Sequence, residues 1–178
     1  PVAVIRRFDR TPDDARIPYM SGATLLQANR QEDHAYTEVL AVMKGACANY
    51  VVDAQELWRR QAFNHLITNV DDHLQNIGFL YMGDNQWQLS PAFDINPMPD
   101  KDRESKTWLS EDTGPSTSRS QLLGQASQFA LPREQALAIV RELVEAVLQW
   151  RAAGQSADVG MTTQELNEFA PAFEHSSL

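Results

Sequence analysis

A mostly α-helical chain carrying one small β-hairpin is the fold class this sequence predicts, and three observations predict it. Apolar residues recur at helical spacing in Leu57, Trp58, Ala62, Phe63, Leu66 and Ile67, and again in Leu137, Val140, Leu143, Val144, Val147 and Trp150. Between those stretches, Ile77 to Met82 and Trp87 to Leu89 flank Gly83-Asp84-Asn85, the composition of a tight hairpin turn. Size and composition agree: 178 residues, 43% hydrophobic and 22% charged, suit one globular domain, or one lobe of a larger one, with a real core.

Each element follows from local chemistry. Val2 to Phe8 reads as a leading strand, because Val2, Val4 and Ile5 are β-branched. Residues 9 to 21, with Pro12 and Pro18, read as polar and turn-rich. Residues 23 to 28 and 34 to 44 (Tyr36, Val39, Leu40, Val42, Met43) predict short helices. Asp53 is the expected N-cap of the helix that carries Leu57 to Ile67. Residues 98 to 120 are dense in hydroxyls and charges around Gly114-Pro115 and predict a long mobile loop, anchored by Trp108 and Leu109. Their hydroxyls read as solvation. Residues 121 to 178 predict a helical subdomain. Pro132 opens its longest helix, 133 to 153, with Gly154 past the end. A last helix spans 162 to 169, capped by Thr162 or Thr163, with Phe169 inward.

Charge and cysteine content narrow the function. The net charge of −9 argues against a general nucleic-acid binder. An anionic ligand would need metal ions or local basic groups. Cys47 is the single cysteine, so no internal disulfide forms, and a reducing, cytoplasmic setting is expected. No apolar run nears the length of a membrane span, and no signal peptide is visible. The chain opens without Met inside a strand pattern, which suggests that an upstream segment has been removed.

The stretch "NVDDHLQNIGFLYMGDNQWQLSPAFDINP", residues 69 to 97, concentrates the candidate chemistry. Asp71 and Asn76 are five apart, and Asp94 returns after the hairpin. Protein kinases also place an Asp and an Asn five apart in the catalytic loop. There the Asp accepts the substrate hydroxyl proton, while the Asn and a later Asp hold Mg²⁺. Mg²⁺ prefers hard oxygen donors, which Asn and Asp supply. Asp94 stands between Phe93 and Ile95, and an acid in an apolar frame is costly unless paired or metal-bound. Blander roles stay open: a helix-end turn for Asp71-Asp72, a satisfied loop histidine for His73, and turn positions for Asn76 and Asp94.

"FNHLITNVDDHLQNIGFL" followed by "WQLSPAFDINP" resembles the HipA family of bacterial toxin kinases, whose pattern is close to N-x-D-D-H-x-x-N-x-x-F-L and then W-x-L-x-P-x-Y-D. "VIRRFDR" at the front looks like that family's hinge segment, and "WRAAG" at 150 to 154 fits its C-terminal subdomain. The resemblance implies the C-terminal lobe of a protein-kinase-like α+β fold with an all-helical C-terminal subdomain. Residues 1 to 8 would be the hinge strand from the N-lobe boundary and 9 to 178 the lobe. The catalytic loop and metal site would lie in 69 to 97. Asp71 would be the catalytic base, and Asn76 and Asp94 would hold Mg²⁺. Arg6, Arg7 and Phe8 would meet the nucleotide as a hinge does, with Gln27 and His73 as further nucleotide contacts. The implied activity is ATP-dependent phosphorylation of a Ser or Thr hydroxyl on a protein substrate, as the toxin of a toxin–antitoxin pair. The implied partner is a HipB-like helix-turn-helix antitoxin, through which alone the chain would meet DNA. No membrane partner is implied.

Departures from the family are specific. Phe93 replaces the usual Tyr, Arg6 stands where Glu is common, and no glycine-rich loop or strand lysine is present. The chain thus reads as hinge plus C-terminal lobe, and residues 1 to 178 alone are expected to be inactive. Other readings remain. A phosphotransferase of the aminoglycoside-kinase type shares the Asp-x4-Asn logic but has His two before the Asp, where Asn69 stands here. A non-catalytic partner-binding lobe is another. A metal hydrolase built on His65, Asp71, Asp72 and His73 is the most distant.

Overall fold

The structure, a computed structural model, describes residues 4–29, 31–100, 104–116 and 118–175. It is largely helical with a small antiparallel sheet. Strand β1 (Tyr19–Ser21) leads into α1 (Gly22–Leu26), and then come α2 (Tyr36–Ala46) and α3 (Tyr50–Leu66). The hairpin β2 (Gly78–Gly83) and β3 (Gln86–Leu89) follows. Helices α4 (Arg119–Gln125), α5 (Arg133–Val147), α6 (Trp150–Gln155) and α7 (Thr163–Phe173) complete the chain.

Helix α3 is the central post of the core. Its apolar stripe buries Ala54, Leu57, Trp58, Ala62 and Leu66. Trp58 is fully buried, and its indole N–H donates to the Leu122 carbonyl at 3.1 Å, so it costs no unpaired donor. The sheet covers one side of this post, with Phe79 fully buried. Strand order is β1-β2-β3, with Met20 opposite Phe79 and Tyr81 opposite Trp87. Gly78 is required for close approach: a Cβ there would lie 2.5 Å from the Tyr19 ring. Cys47 is buried, and burial together with nearby Asp53 pushes its thiol up to about 12.

Several expectations are corrected. The described part of the leading segment, residues 4 to 8, is not a strand, and Val2 lies outside the described residues. Val4 and Ile5 are 93% and 82% exposed. β-branched residues favour a strand only against a cross-strand neighbour, and none pairs there. The strand that does form beside the hairpin is β1, inside the stretch expected to be turns. Asp53 does not cap α3. The helix starts at Tyr50, and Asp53 sits in its first turn, only 3% exposed. The expected 133 to 153 helix is two helices, α5 and α6, broken at Leu148-Gln149. Gly154 lies inside α6, where a Cβ would meet Leu166 Cδ2 at 2.9 Å. Helix α7 runs on to Phe173 through Pro171. Thr162 caps it, sharing a capping box with Glu165, while Leu166 is buried and Phe169 half-buried.

Residues 104 to 116 are tied to the body at several points, with Glu104, Lys106, Glu111 and Asp112 exposed between them. Trp108 N–H donates to His34 O and Tyr36 N–H to Trp108 O, both at 2.9 Å, joining the segment to α2. Thr107, Leu109, Ser110 and Ser116 are buried. Some of its hydroxyls bond protein groups: Ser110 Oγ pairs with Thr113 Oγ1, and Ser118 Oγ caps α4. Residues 101 to 103 and Thr117 of that expected loop lie outside the described residues. Among the described residues, no helix is long and apolar enough to cross a membrane.

Candidate functional site

The site is built where α3 ends. Thr68 turns the chain with a φ of +54°, and its hydroxyl donates to Ala172 O at 3.0 Å, tying the turn to α7. Asn69 Nδ2 donates to Asn64 Oδ1 at 3.0 Å. Residues 70 to 73 then run without helix or strand into a 3-10 turn, Leu74–Asn76, which feeds β2.

Neighbouring side chains point apart on such a segment, and the two acids accordingly have different surroundings. Asp72 is 5% exposed. Its Oδ2 accepts from Tyr36 Oη at 2.9 Å and from Ser105 Oγ at 2.5 Å. Its Oδ1 accepts from the Lys106 N–H at 2.9 Å. Burial raises the carboxyl above its ordinary range, while the bonds from Ser105, Tyr36 and the segment's backbone oppose that rise. Burial, with Asp72 beside it, also raises the Tyr36 phenol well above 10. Asp71 is half-exposed, and its Oδ1 accepts from Lys106 Nζ at 2.5 Å.

Asn76 returns to the same loop: its Nδ2 donates to the Asp71 carbonyl at 3.1 Å. That bond commits the amide's donor end, leaving the carbonyl end for another partner. Asp94 is exposed and adopts a φ of +54°, a left-handed conformation that Asp tolerates better than most residues. Asn96 Nδ2 donates to Asp94 Oδ1 at 2.9 Å. Asn76 and Asp94 border one cavity of about 30 Å³, with Tyr36, Arg60 and Asp72 also in its wall.

The predicted nucleotide contacts fall into two places. His73 and Gln27 line an open groove of about 1070 Å³ that Lys106 also borders. His73 Nδ1 is buried there without a hydrogen-bond partner. Arg6, Arg7 and Phe8 line a shallower pocket of about 380 Å³ with Tyr19 and Phe93. Phe93 joins that pocket to the Asp94 loop, its ring 5.7 Å from Phe8 and 6.3 Å from Tyr19. Arg7 pairs with Asp9, and this guanidinium holds the Asp9 carboxyl down to about 2.

Lys106, Ser105 and Tyr36 went unpredicted. Their signal was faint: "SKTWL" mixes hydroxyls with an apolar run, a hint of inward packing. The set His65, Asp71, Asp72 and His73 does not converge as metal ligands. Asp72 is spent on Tyr36, Ser105 and backbone, and among the described residues no group of three or more His, Cys, Asp or Glu side chains is placed to hold a metal.

Comparison with known proteins agrees with this architecture. The family model of the HipA-like C-terminal domain matches residues 1–151. A Haemophilus influenzae protein described as "Putative kinase" is 25% identical over 109 residues, which are 54% of this chain and 32% of that protein. A chain of the Shewanella oneidensis MR-1 toxin–antitoxin complex of HipA, HipB and operator DNA shares the fold, with a TM-score of 0.71 at 18% identity. That match covers 94% of this chain and 46% of the other, so the chain spans less than half the length of either relative.

Proposed function

The chain belongs to the family of HipA-like C-terminal domains, and on that premise we propose that it is the C-terminal catalytic lobe of a Ser/Thr protein kinase of the HipA kind. Residues 9 to 178 form the lobe in this reading, and residues 1 to 8 its hinge. The observation that carries the reading is the closure of the motif in space. Asn76, five residues beyond Asp71, bonds back to Asp71 and shares a cavity with Asp94 from across the hairpin.

The roles follow from the surroundings. Asp71 is half-exposed, paired with Lys106 of the groove wall, and takes the proton of the substrate hydroxyl as that oxygen attacks the γ-phosphorus of ATP. Asn76 and Asp94 offer an amide oxygen and a carboxylate, hard donors on a cavity of ion-sized volume, and would hold Mg²⁺. Mg²⁺ would supply neutralisation of the nucleotide's phosphate charge, which a chain of net charge −9 otherwise repels. Gln27 and His73 line the groove toward the phosphates, and the Arg6 to Phe8 segment meets the base beside Phe93. The proposed setting is cytoplasmic, as a toxin held by a HipB-like helix-turn-helix antitoxin, with DNA met only through that partner.

The test separates the roles in the full-length protein. Asp94→Asn should abolish Mg²⁺-ATP turnover and weaken Mg²⁺-nucleotide binding. Asp71→Asn should bind nucleotide as the parent does while losing phosphoryl transfer. Equal loss of nucleotide affinity in both variants, read by calorimetry, would overturn the assignment.

A further inference from the structure

Lys106 is a cation whose backbone is anchored to the buried acid of the candidate site. Its N–H donates to Asp72 Oδ1 at 2.9 Å and to Val70 O at 3.2 Å. Its neighbours bond the same residue: Ser105 Oγ donates to Asp72 Oδ2, and Thr107 Oγ1 donates to Asp72 O at 2.6 Å. The Cα of Lys106 therefore cannot leave the loop without uncovering a buried carboxylate. From this anchor its side chain runs outward, 61% exposed, to Asp71 Oδ1. It also borders the groove of Gln27 and His73, where Glu32 and Asp33 form part of the wall. Among the described residues lining that groove, Lys106 is the one lysine or arginine.

We propose that Lys106 is the travelling cation of phosphoryl transfer, anchored at its backbone and mobile at its ammonium. Before substrate binds it holds the Asp71 carboxylate toward the groove. During transfer its ammonium moves to the oxygens of the departing phosphoryl group. This rests on the kinase reading of Asp71. In the step itself the substrate hydroxyl oxygen bonds to the γ-phosphorus, and the bond from that phosphorus to the bridging oxygen breaks. ADP leaves with the bond's electron pair, and the hydroxyl proton goes to Asp71. Lys106 forms no bond and gives up no proton. Protonation of Asp71 weakens its hold on the ammonium just as charge spreads over the phosphoryl oxygens. A lysine suits this exchange because it is a point charge on a flexible stem, whereas an arginine would fork onto the carboxylate and stay.

The experiment uses the full-length protein with Lys106→Met and Lys106→Arg. Lys44→Met serves as a control, since Lys44 lies over the Tyr50 ring, 5.7 Å from its centre. Lys106→Met should lower kcat by about 10²-fold, the scale of losing one preorganised charge at the transition state. Its KM for ATP should stay within about threefold, since the interaction is made only in the transition state. Lys106→Arg should recover part of kcat, and unfolding midpoints should match the parent. ADP with Mg²⁺ and aluminium fluoride, a stand-in for the transferred phosphoryl group, should bind the parent more tightly than ADP with Mg²⁺ alone. Lys106→Met should lose that tightening. An active parent with an unaffected Lys106→Met, or a slow Lys106→Met that keeps the tightening, overturns the lysine's role alone. A parent that transfers no phosphoryl group overturns the kinase reading and this inference together.

Discussion

The two flanks of the candidate site are held in opposite ways. On one, the loop 69 to 73 and the strap 104 to 110 are locked by a buried carboxylate: Asp72 takes hydrogen bonds from Tyr36, Ser105 and the strap's backbone. On the other, the arm of residues 4 to 9 meets the body chiefly through rings, Phe8 against Tyr19 and Phe93, with one backbone bond from Ile17 N–H to Asp9 O at 3.0 Å and Val4 and Ile5 left exposed. Hydrogen bonds to a buried anion are directional and fix positions to fractions of an ångström. Ring contacts tolerate sliding. Groups proposed for bond making sit on the first kind of support, and groups proposed for holding the nucleotide base sit on the second. Chemistry and affinity should therefore come apart under mutation.

The largest effect should fall on the locked flank. Asp72→Asn places an amide NH₂ among donors, and orphaning them should cost about 3 kcal/mol of stability in urea unfolding. Asp71→Asn, one residue away, should cost under about 0.5 kcal/mol, because its partner Lys106 is exposed. Equal costs at the two positions would erase the contrast between a structural and a reactive acid. Tyr36→Phe removes a single donor to Asp72 and should cost about 1 kcal/mol in the same assay.

On the ring-held flank a smaller effect of a different kind is expected. Phe93→Ala in the full-length protein should raise KM for ATP while kcat holds, with a stability loss of about 1 kcal/mol from the lost ring pairs. A fall in kcat with KM unchanged would show that this flank also positions the reacting groups. The smallest effect belongs to Arg7 and Asp9. Pairing lowers the Asp9 carboxyl from 3.8 to about 2. A depressed folded value contributes stability above the unfolded value, lost as pH falls from about 4 toward 2. The pair lies at the surface, where solvent screens it, so the clear signature is an NMR titration of the Asp9 carboxyl that moves up in Arg7→Met, with only a slight fall in the unfolding midpoint at neutral pH that fades as pH drops toward about 2.

What could be read in the sequence follows from the distance over which each feature is determined. The hairpin was legible because Gly83, Asp84 and Asn85 carry its turn within three adjacent residues, all at positive φ. Helix α3 was legible because its periodic stripe is its buried face. The break at Leu148 was not: Leu148 continues the apolar pattern yet is 62% exposed, and nothing local stops a helix there. The arm failed for the converse reason, since strand composition needs a partner strand and the hairpin pairs β1 instead. At the site, Asp71, Asn76 and Asp94 were nameable as candidates from the Asp-x4-Asn spacing taken together with the hairpin, the returning acid and the family resemblance. Lys106 and Ser105 were not, because they reach the two acids from more than 30 residues on, through a strap whose hydroxyls read as solvated. A buried anion selects its donors in space, and the sequence records only that donors exist.

The buried thiol of Cys47 has a practical consequence. Held at about 12, it carries almost no thiolate at neutral pH, and burial shields it further. The chain has no other cysteine. A cysteine introduced on the exposed arm, Val4→Cys for example, would then react with a maleimide dye far ahead of the native one. A fluorophore placed so would report the position of the arm in solution without any need to delete Cys47 from the core.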